Sequence, residues 1–209
     1  MPQPSQPYAR AAASGPDFAT RLELRAALLA SFVGSIWAVF IVSTAFPGLR
    51  LDSHGVRPRS FAGLEGILFA PWLHGSLAHI MANTGGLVIL GWFTMWPRIS
   101  GFWAATIGSM LGAGLFAWVL GAPDTIHIGA SGIIFGYAGF LVARGWFTRN
   151  VLALVVAVSV MVFYGATMLV GVLPLYPFIS WESHLGGVVG GVVMARVVSV
   201  RGAGGRKGR

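Results

Sequence analysis

Six long apolar segments constrain this chain more than any other feature of its sequence. Each is close to the roughly 20 residues that an α-helix, rising about 1.5 Å per residue, needs to cross a bilayer. They cover Leu24–Phe46, Leu77–Trp96, Phe102–Leu120, Ser131–Phe147, Val151–Leu173 and His184–Val200. Only 10% of the 209 residues are charged, against about 25% in a soluble domain. The pattern therefore predicts an all-α polytopic membrane protein.

The remaining segments complete this architecture. A closed β-barrel would also satisfy backbone polar groups in lipid, but it requires alternating segments of about ten residues, which the sequence lacks. The connection Pro47–Ser76 is too apolar for an aqueous loop and is predicted to lie in the membrane interface. We expect a disordered tail at residues 1–21, one six-span domain at 22–201 and a basic tail at 202–209.

The basic residues are distributed unevenly between the two sides of the predicted bundle. Six spans put both termini on one side, and eleven of the 14 Lys and Arg residues fall there, leaving only Arg50, Arg57 and Arg59 on the other. Because basic residues are enriched in cytoplasmic loops, we expect both termini in the cytoplasm. The net charge of +8 is then mostly a topology signal, and the predicted partner is the lipid bilayer, with no nucleic acid.

A short motif, Gly129-Ala130-Ser131-Gly132, begins the fourth span. Small neighbours leave a serine hydroxyl accessible and let backbone N–H groups face an oxyanion. Small residues also suit close helix packing, and a chain with 30 glycines produces such a motif readily by chance. On this motif alone, a nucleophile and a packing surface are equally well supported.

Three polar residues on three different spans fall at one predicted depth. Counted from the cytoplasmic ends of their helices, Ser131 lies about 20 Å up, His184 about 18 Å and Asn83 about 21 Å. His79 lies one turn above Asn83 on the same helix face. Polar and ionisable groups inside a membrane are costly and usually functional, so this convergence favours a site about 10 Å below the outer face of the hydrocarbon core.

The residue types at this depth suit nucleophilic catalysis. His184 is the histidine on another span at the depth of Ser131, so it is the candidate general base. None of the six acidic residues lies inside a span, and a triad would need a carboxylate; we therefore predict a Ser–His dyad. His79 and Asn83 can donate hydrogen bonds to an oxyanion from the facing helix. This chemistry requires no metal and no cofactor.

Three stretches, in this order and on these spans, resemble the rhomboid family of intramembrane serine proteases. They are His74-Gly-Ser-Leu-Ala-His79-Ile-Met-Ala-Asn83, then Gly129-Ala130-Ser131-Gly132, then Ser183-His184-Leu185-Gly186-Gly187 with Gly191. The resemblance covers residues 24–200 and implies a bacterial, six-span rhomboid-like bundle. It implies Ser131 as the nucleophile and His184 as its base. It also implies an oxyanion hole formed by His79, Asn83 and the Ser131 backbone N–H, which Gly129 helps to shape.

Two positions depart from the family pattern. Family members often carry Trp-Arg in the first outer loop, where this chain has Glu65-Gly66. A tyrosine commonly packs on the catalytic histidine four residues after the serine; Phe135 keeps the ring but not the hydroxyl. Two further residues are expected to support the site, His74 by hydrogen bonding and Gly187 by allowing the helix of His184 to approach that of Ser131.

Two other functions stay open at the level of sequence. A small transporter would use intramembrane His and Asn residues to bind substrate or relay protons, but it predicts carboxylates or repeated halves, and neither is seen. A catalytically inactive rhomboid-like chaperone or trafficking protein predicts loss of the serine or the histidine, and both are present. For a protease, the resemblance implies single-pass transmembrane substrates cleaved near the outer face of the plasma membrane. The client and the oligomeric state are not specified.

Hydrolysis at this depth also requires water where hydrocarbon would exclude it. We therefore expect a polar cavity around Ser131 and His184 that opens to the outer side. The segment Pro47–Ser76 and the loop Leu173–Ser183 are positioned to cover it. Opening of this cover near the fifth span is expected to control substrate entry.

Overall fold

In the computed structural model, residues 17–204 are described, with side chains as far as residue 200. The described chain is a helical bundle without β-sheet, which confirms the predicted all-α class. Its seven α-helices are α1 Phe18–Ala45, α2 Gly66–Phe69, α3 Leu77–Thr94, α4 Ser100–Leu120, α5 Ser131–Thr148, α6 Val151–Gly171 and α7 Trp181–Gly204. Apart from the short α2, these helices fall on the six predicted segments.

Polar caps decide where three of the helices begin. Asp17 accepts a hydrogen bond from the Thr20 backbone at 2.8 Å, and Ser76 and Asn150 cap α3 and α6 in the same way, as side-chain oxygens do at orphan N–H groups. The cap at Asp17 starts α1 at Phe18, before the predicted end of the N-terminal tail at residue 21; the domain boundaries stay a prediction. At the other end the helical backbone of α7 runs to Gly204, past the predicted boundary at 202. The rest of both tails lies outside the described residues.

Helix α5 lies at the centre of the bundle. It packs against α3, α4, α6 and α7, and most of its residues are buried. Among the described residues, five helices are long and apolar enough to cross a membrane, and α5 is the long helix that does not meet this measure. Because protein rather than lipid surrounds α5, its sequence can carry several glycines and the buried Arg144.

Glycines bring α7 into backbone contact with both α4 and α5. A Cβ atom built at Gly187 or Gly191 would collide with a carbonyl of α5, and one built at Gly186 or Gly190 with a carbonyl of α4. Small residues let helix backbones approach this closely in membranes. The contacts hold the start of α7, which carries His184, against the start of α5, which carries Ser131.

The connection between α1 and α3 is folded onto the bundle rather than extended. It contains α2 and four short 3₁₀ turns. Val56 and His127 exchange two backbone hydrogen bonds of 2.9 Å, which tie this connection to the loop before α5. At the position of the missing Trp-Arg pair, His54 Nδ1 and Glu65 Oε1 lie 2.7 Å apart. Gly66 packs against the backbone of Gly55 so closely that a Cβ atom would not fit.

Candidate active site

Ser131 and His184 meet where the first turns of α5 and α7 come together, at one end of the bundle, called the site end below. The distance between Ser131 Oγ and His184 Nε2 is 2.8 Å, within the range of a good hydrogen bond. His184 is only 7% exposed. The serine hydroxyl can therefore donate its proton directly to the imidazole, in a setting largely shielded from bulk water.

A backbone carbonyl holds the other ring nitrogen of His184. Nδ1 lies 2.9 Å from the carbonyl oxygen of Gly171, the last residue of α6. If Nδ1–H donates this bond, Nε2 presents its lone pair to Ser131, which is the tautomer that a general base needs. The orienting role that a carboxylate has in a triad thus falls to a carbonyl. Sequence analysis predicted the absence of a carboxylate but did not find this substitute.

Phe135 completes the packing around the imidazole. Its ring stacks on that of His184 with centroids 3.9 Å apart and planes inclined by 6°. A Cβ atom at Gly171 would collide with the Phe135 ring and would lie 3.2 Å from His184 Nδ1. The glycine at the end of α6 therefore lets one carbonyl and one aromatic ring fix the imidazole together.

Candidate hydrogen-bond donors lie at the start of α5 and on the facing part of α3. The first α5 amides to bond within the helix are those of Ile133 and Ile134, both to Ala130, so the Ser131 and Gly132 N–H groups stay at the positive helix N-terminus. On α3, the side chains of His79 and the buried Asn83 lie beside Gly129, two residues before Ser131. These groups can stabilise negative charge on a carbonyl oxygen bound at Ser131.

Gly129 permits the loop before α5 to pass against these donors. Its φ angle is +114°, a conformation that favours glycine, and its N–H donates to Ala70 at 2.8 Å. A Cβ atom there would lie 2.6 Å from His79 Nε2 and 3.5 Å from Asn83 Nδ2. The glycine therefore shapes this wall of the site by lacking a side chain.

His74 supports Asn83 from outside the membrane-spanning part of α3. The Asn83 amide donates to His74 Nε2 at 2.9 Å, which requires that nitrogen to be unprotonated. Burial, assisted by the nearby His79, lowers the pKa of His74 to about 4, so it is neutral near pH 7. The rings of His74 and His79 lie 4.9 Å apart. These two histidines do not belong to a metal site, because no group of three His, Asp or Glu side chains between residues 17 and 200 could hold a metal.

Two variants of His74 are expected to show whether its hydrogen bond to Asn83 contributes to catalysis. His74→Ala removes the acceptor and should lower kcat by about tenfold, the loss expected for one neutral hydrogen bond of about 1.4 kcal/mol. In His74→Gln, the side-chain oxygen can accept from Asn83 and should restore part of this loss. Steady-state cleavage assays would measure both, and equal activity of the alanine and glutamine variants would contradict the assigned bond.

The same residue predicts a loss of stability in acid. The pKa of a histidine is about 6.5 in an unfolded chain and about 4 for folded His74. Between these two pH values the unfolded state binds a proton that the folded state does not. The free energy of unfolding is therefore highest above pH 6.5, and the contribution of His74 is lost as pH falls from 6.5 through 4. Thermal unfolding of His74→Gln should therefore depend less on pH over this range than that of the wild type.

A second histidine, His127, joins the loops that surround the site. Its Nδ1 lies 2.5 Å from Ser180 Oγ, and Ser180 donates to Ser183 at 2.8 Å. Burial lowers the pKa of His127, and the carboxylate of Glu182 partly opposes the shift. The sequence carries no signal for this network, because residues 127 and 180 are distant along the chain.

A small cavity with four polar residues in a mainly apolar lining adjoins Ser131 on this side. Its volume is about 30 Å³, and His127, Ser180, Ser183 and Ser131 contribute polar groups to its lining. A water molecule needs about 10–15 Å³ of such space and two to four polar partners. The cavity therefore has room for water beside the nucleophile, and its four polar side chains could bind it.

Comparison with known proteins decides the family. The family description that matches residues 63–201 is that of the Rhomboid domain. The chain belongs to the rhomboid family. Rhomboid proteins are generally intramembrane proteases, and the apolar helices together with this membership make the chain an integral, multi-pass membrane protein.

Similar proteins occur in mycobacteria. Uncharacterized proteins of Mycobacterium bovis and Mycobacterium tuberculosis are each 39% identical over 178 residues, covering 81% of this chain and 73% of theirs. An uncharacterized protein of Mycobacterium leprae is 36% identical over 157 residues, covering 71% of this chain and 62% of its own. These names assign no activity to the relatives.

Proposed function

We propose that this rhomboid protein is an active intramembrane serine endopeptidase with Ser131 and His184 as a catalytic dyad. The observation that carries the proposal is the 2.8 Å approach of Ser131 Oγ to His184 Nε2, with His184 Nδ1 engaged by Gly171. A nucleophile, a base and an orienting group in hydrogen-bond contact are the arrangement that acyl transfer requires. An inactive relative would have no need to keep all three.

In the acylation step, Ser131 Oγ attacks the scissile carbonyl carbon while its proton moves to His184 Nε2. The carbonyl oxygen becomes an oxyanion beside Asn83, His79 and the first amides of α5. Collapse of the tetrahedral intermediate breaks the C–N bond, and His184 Nε2–H protonates the departing amine. The products of this step are an acyl ester on Ser131 and neutral His184.

Deacylation repeats the step with water as the nucleophile. His184 accepts a proton from the water as its oxygen attacks the ester carbonyl, and the proton then returns to Ser131 Oγ. The cavity lined by His127, Ser180 and Ser183 is suited to keep water close to this point. The products are a free carboxylic acid and the regenerated dyad.

The proposed substrates are single-pass transmembrane proteins cleaved in or near their membrane segments. Helix α6 packs mainly on α5 and exposes large apolar side chains along its length, which suits an element that moves aside in lipid. The loop after α6 also packs loosely on the bundle at Phe178, whose side chain is 99% exposed. Displacement of α6 and this loop would admit an extended substrate to Ser131.

A fluorophosphonate probe tests the proposed function directly. It reacts with serines activated by a base, so the wild-type protein in detergent should be labelled at Ser131. Ser131→Ala and His184→Ala should not be labelled. Ser159→Ala, which removes a hydroxyl on α6 that bonds only to Val155, is the matched control and should be labelled as wild type. Absence of labelling in folded wild-type protein would favour the inactive chaperone or the transporter.

Loss of an oxyanion donor is expected to affect kcat more than KM. Hydrogen bonds to the oxyanion strengthen in the transition state, and one donor is worth about 10²–10³ in rate in other serine proteases. We expect about 10- to 100-fold for Asn83→Ala, because His79 and the α5 amides remain. Michaelis–Menten analysis of Asn83→Ala and His79→Ala measures the effect. A change confined to KM in both variants would assign these residues to substrate binding instead.

The proposed topology places the site end at the outer side of the membrane and both termini in the cytoplasm. The chain has no cysteine, so a single introduced cysteine is the only thiol that can react with a labelling reagent. In spheroplasts, Leu175→Cys in the loop after α6 should react with an impermeant maleimide, whereas Asn150→Cys at the opposite end should react only after permeabilisation. Reversal of this pattern would place the site end in the cytoplasm.

A further inference from the structure

A second and larger cavity lies away from Ser131, between α1, α4 and the connection that precedes α3. Its volume is about 700 Å³, within the range of about 300–1,000 Å³ that is typical of small-molecule sites. Seven of its lining residues are apolar: Val39, Leu51, Leu68, Phe69, Trp72, Leu73 and Met110. The other two are His54 and Glu65. None of these nine residues takes part in the chemistry proposed above.

A single helical layer, formed by residues 65–73, separates the two cavities. Gly66, Ile67, Ala70 and Pro71 line the cavity at Ser131, whereas Glu65, Leu68, Phe69 and Trp72 line the larger one. This alternation is the helical pattern in which residues three and four apart share a face. Met110 of α4 lines both cavities. The larger cavity therefore lies directly behind one wall of the site.

The lining of the larger cavity is amphipathic. Leu68 and Phe69 are 53% and 51% exposed, so the apolar wall is open to the surroundings. In an integral membrane protein these surroundings are lipid, and an apolar cavity does not hold water. His54 and Glu65 form an acid–base pair at 2.7 Å, with about half of each side chain exposed. A base and an acid side by side complement a zwitterionic headgroup, which carries both a phosphate and an ammonium group.

We propose that this cavity binds one acyl chain of a zwitterionic membrane phospholipid, with its headgroup at His54 and Glu65. The bound chain would fill the space behind residues 65–73. That layer contacts the site through Ala70, whose carbonyl accepts the Gly129 N–H at 2.8 Å. Trp72 fastens the same layer to α1 by donating to Ser35 at 2.9 Å. The lipid is thus a structural ligand of the wall, and its binding does not depend on catalysis.

Photolabelling of the full chain tests the proposal. The probe is a phosphatidylcholine with a diazirine midway along one acyl chain, incorporated into phosphatidylcholine vesicles. Labelled peptides should contain Leu68, Phe69 and Met110. Leu68→Trp, which fills the cavity, should reduce this labelling about tenfold, equivalent to about 1.4 kcal/mol of binding free energy. Val162→Trp on α6, where the native side chain is 70% exposed, is the matched control and should leave it unchanged.

Two further measurements test lipid binding without relying on Leu68→Trp alone. Leu51→Trp fills the cavity from the opposite wall and should have the same effect as Leu68→Trp. In detergent, wild-type labelling of the cavity should saturate as the probe is added, whereas labelling of α6 should rise in proportion to the probe. Cavity labelling that neither saturates nor responds to the tryptophans would be ordinary boundary lipid and would overturn the proposal. Equal labelling by a phosphatidylglycerol probe would overturn the headgroup assignment.

Discussion

Ser131→Ala and His184→Ala are each expected to lower kcat/KM for cleavage of a transmembrane substrate by about 10⁴-fold or more. In the proposed mechanism, Ser131 Oγ forms the acyl bond. In the same proposal, His184 both removes the Ser131 hydroxyl proton and protonates the leaving group, and no carboxylate within residues 17–200 lies beside it to take over either task. Cleavage of a reconstituted single-pass substrate, followed by gel analysis, measures the loss.

The double variant gives a sharper result than either single change. Residues that act as one unit in a reaction have strongly non-additive effects, so Ser131→Ala/His184→Ala should be no less active than each single variant. Ser159→Ala is the control for loss of a serine hydroxyl, and thermal unfolding establishes that the variants are folded. Turnover by Ser131→Ala above an enzyme-free control would show that a different group is the nucleophile.

Much of the fold and part of the site follow from local rules in the sequence. The length of each apolar segment sets a helix, and the helix ends set the depth of each polar residue. Counting residues along the helices therefore predicted the same depth in the membrane for Ser131, His184 and Asn83. In the structure, Ser131 and His184 are hydrogen-bonded. The i, i+4 relation likewise placed His79 with Asn83 on one face of α3.

What the sequence did not reveal depends on backbone atoms and on long-range contacts. The carbonyl of Gly171 orients His184, but a carbonyl is present at every residue and has no sequence signature. The bond between His127 and Ser180 joins two loops that are 53 residues apart. Its formation depends on how α4, α5 and α7 pack, which no local pattern specifies.

Arg144 shows how a residue can fit one prediction and still have another role. Its charge was counted as part of the topology signal, on the side of the termini. In the structure it is buried, and its guanidinium donates to the carbonyls of Phe93, Thr94 and Trp96. These carbonyls lie at the C-terminus of α3, where orphan acceptors and the helix dipole favour a cation. The cation therefore stabilises the junction of α3 with α5 as well as contributing to the charge asymmetry.

Gly187→Ala is expected to inactivate the protein although it adds only a methyl group. A Cβ atom at this position would collide with the carbonyl oxygen of Gly132 and lie 2.9 Å from its carbon, and neither backbone can yield without moving a helix. Alanine improves intrinsic helix propensity by about 1 kcal/mol, but overpacking of a rigid contact costs about 1–3 kcal/mol. We therefore expect a lower melting temperature together with separation of α7 from α5.

The effect on catalysis should exceed the effect on stability, because Gly132 is next to Ser131 and Gly187 is one turn after His184. A displacement of about 1 Å between reacting groups can reduce a rate by about 10²-fold, so cleavage and fluorophosphonate labelling should both fall by about this factor at temperatures where the variant is still folded. Gly34→Ala in α1 is the matched control, since a Cβ atom there meets nothing within 4 Å and should leave activity unchanged and stability equal or slightly higher. If Gly187→Ala were as active as Gly34→Ala, the close contact of α7 with α5 would not be what positions His184 against Ser131.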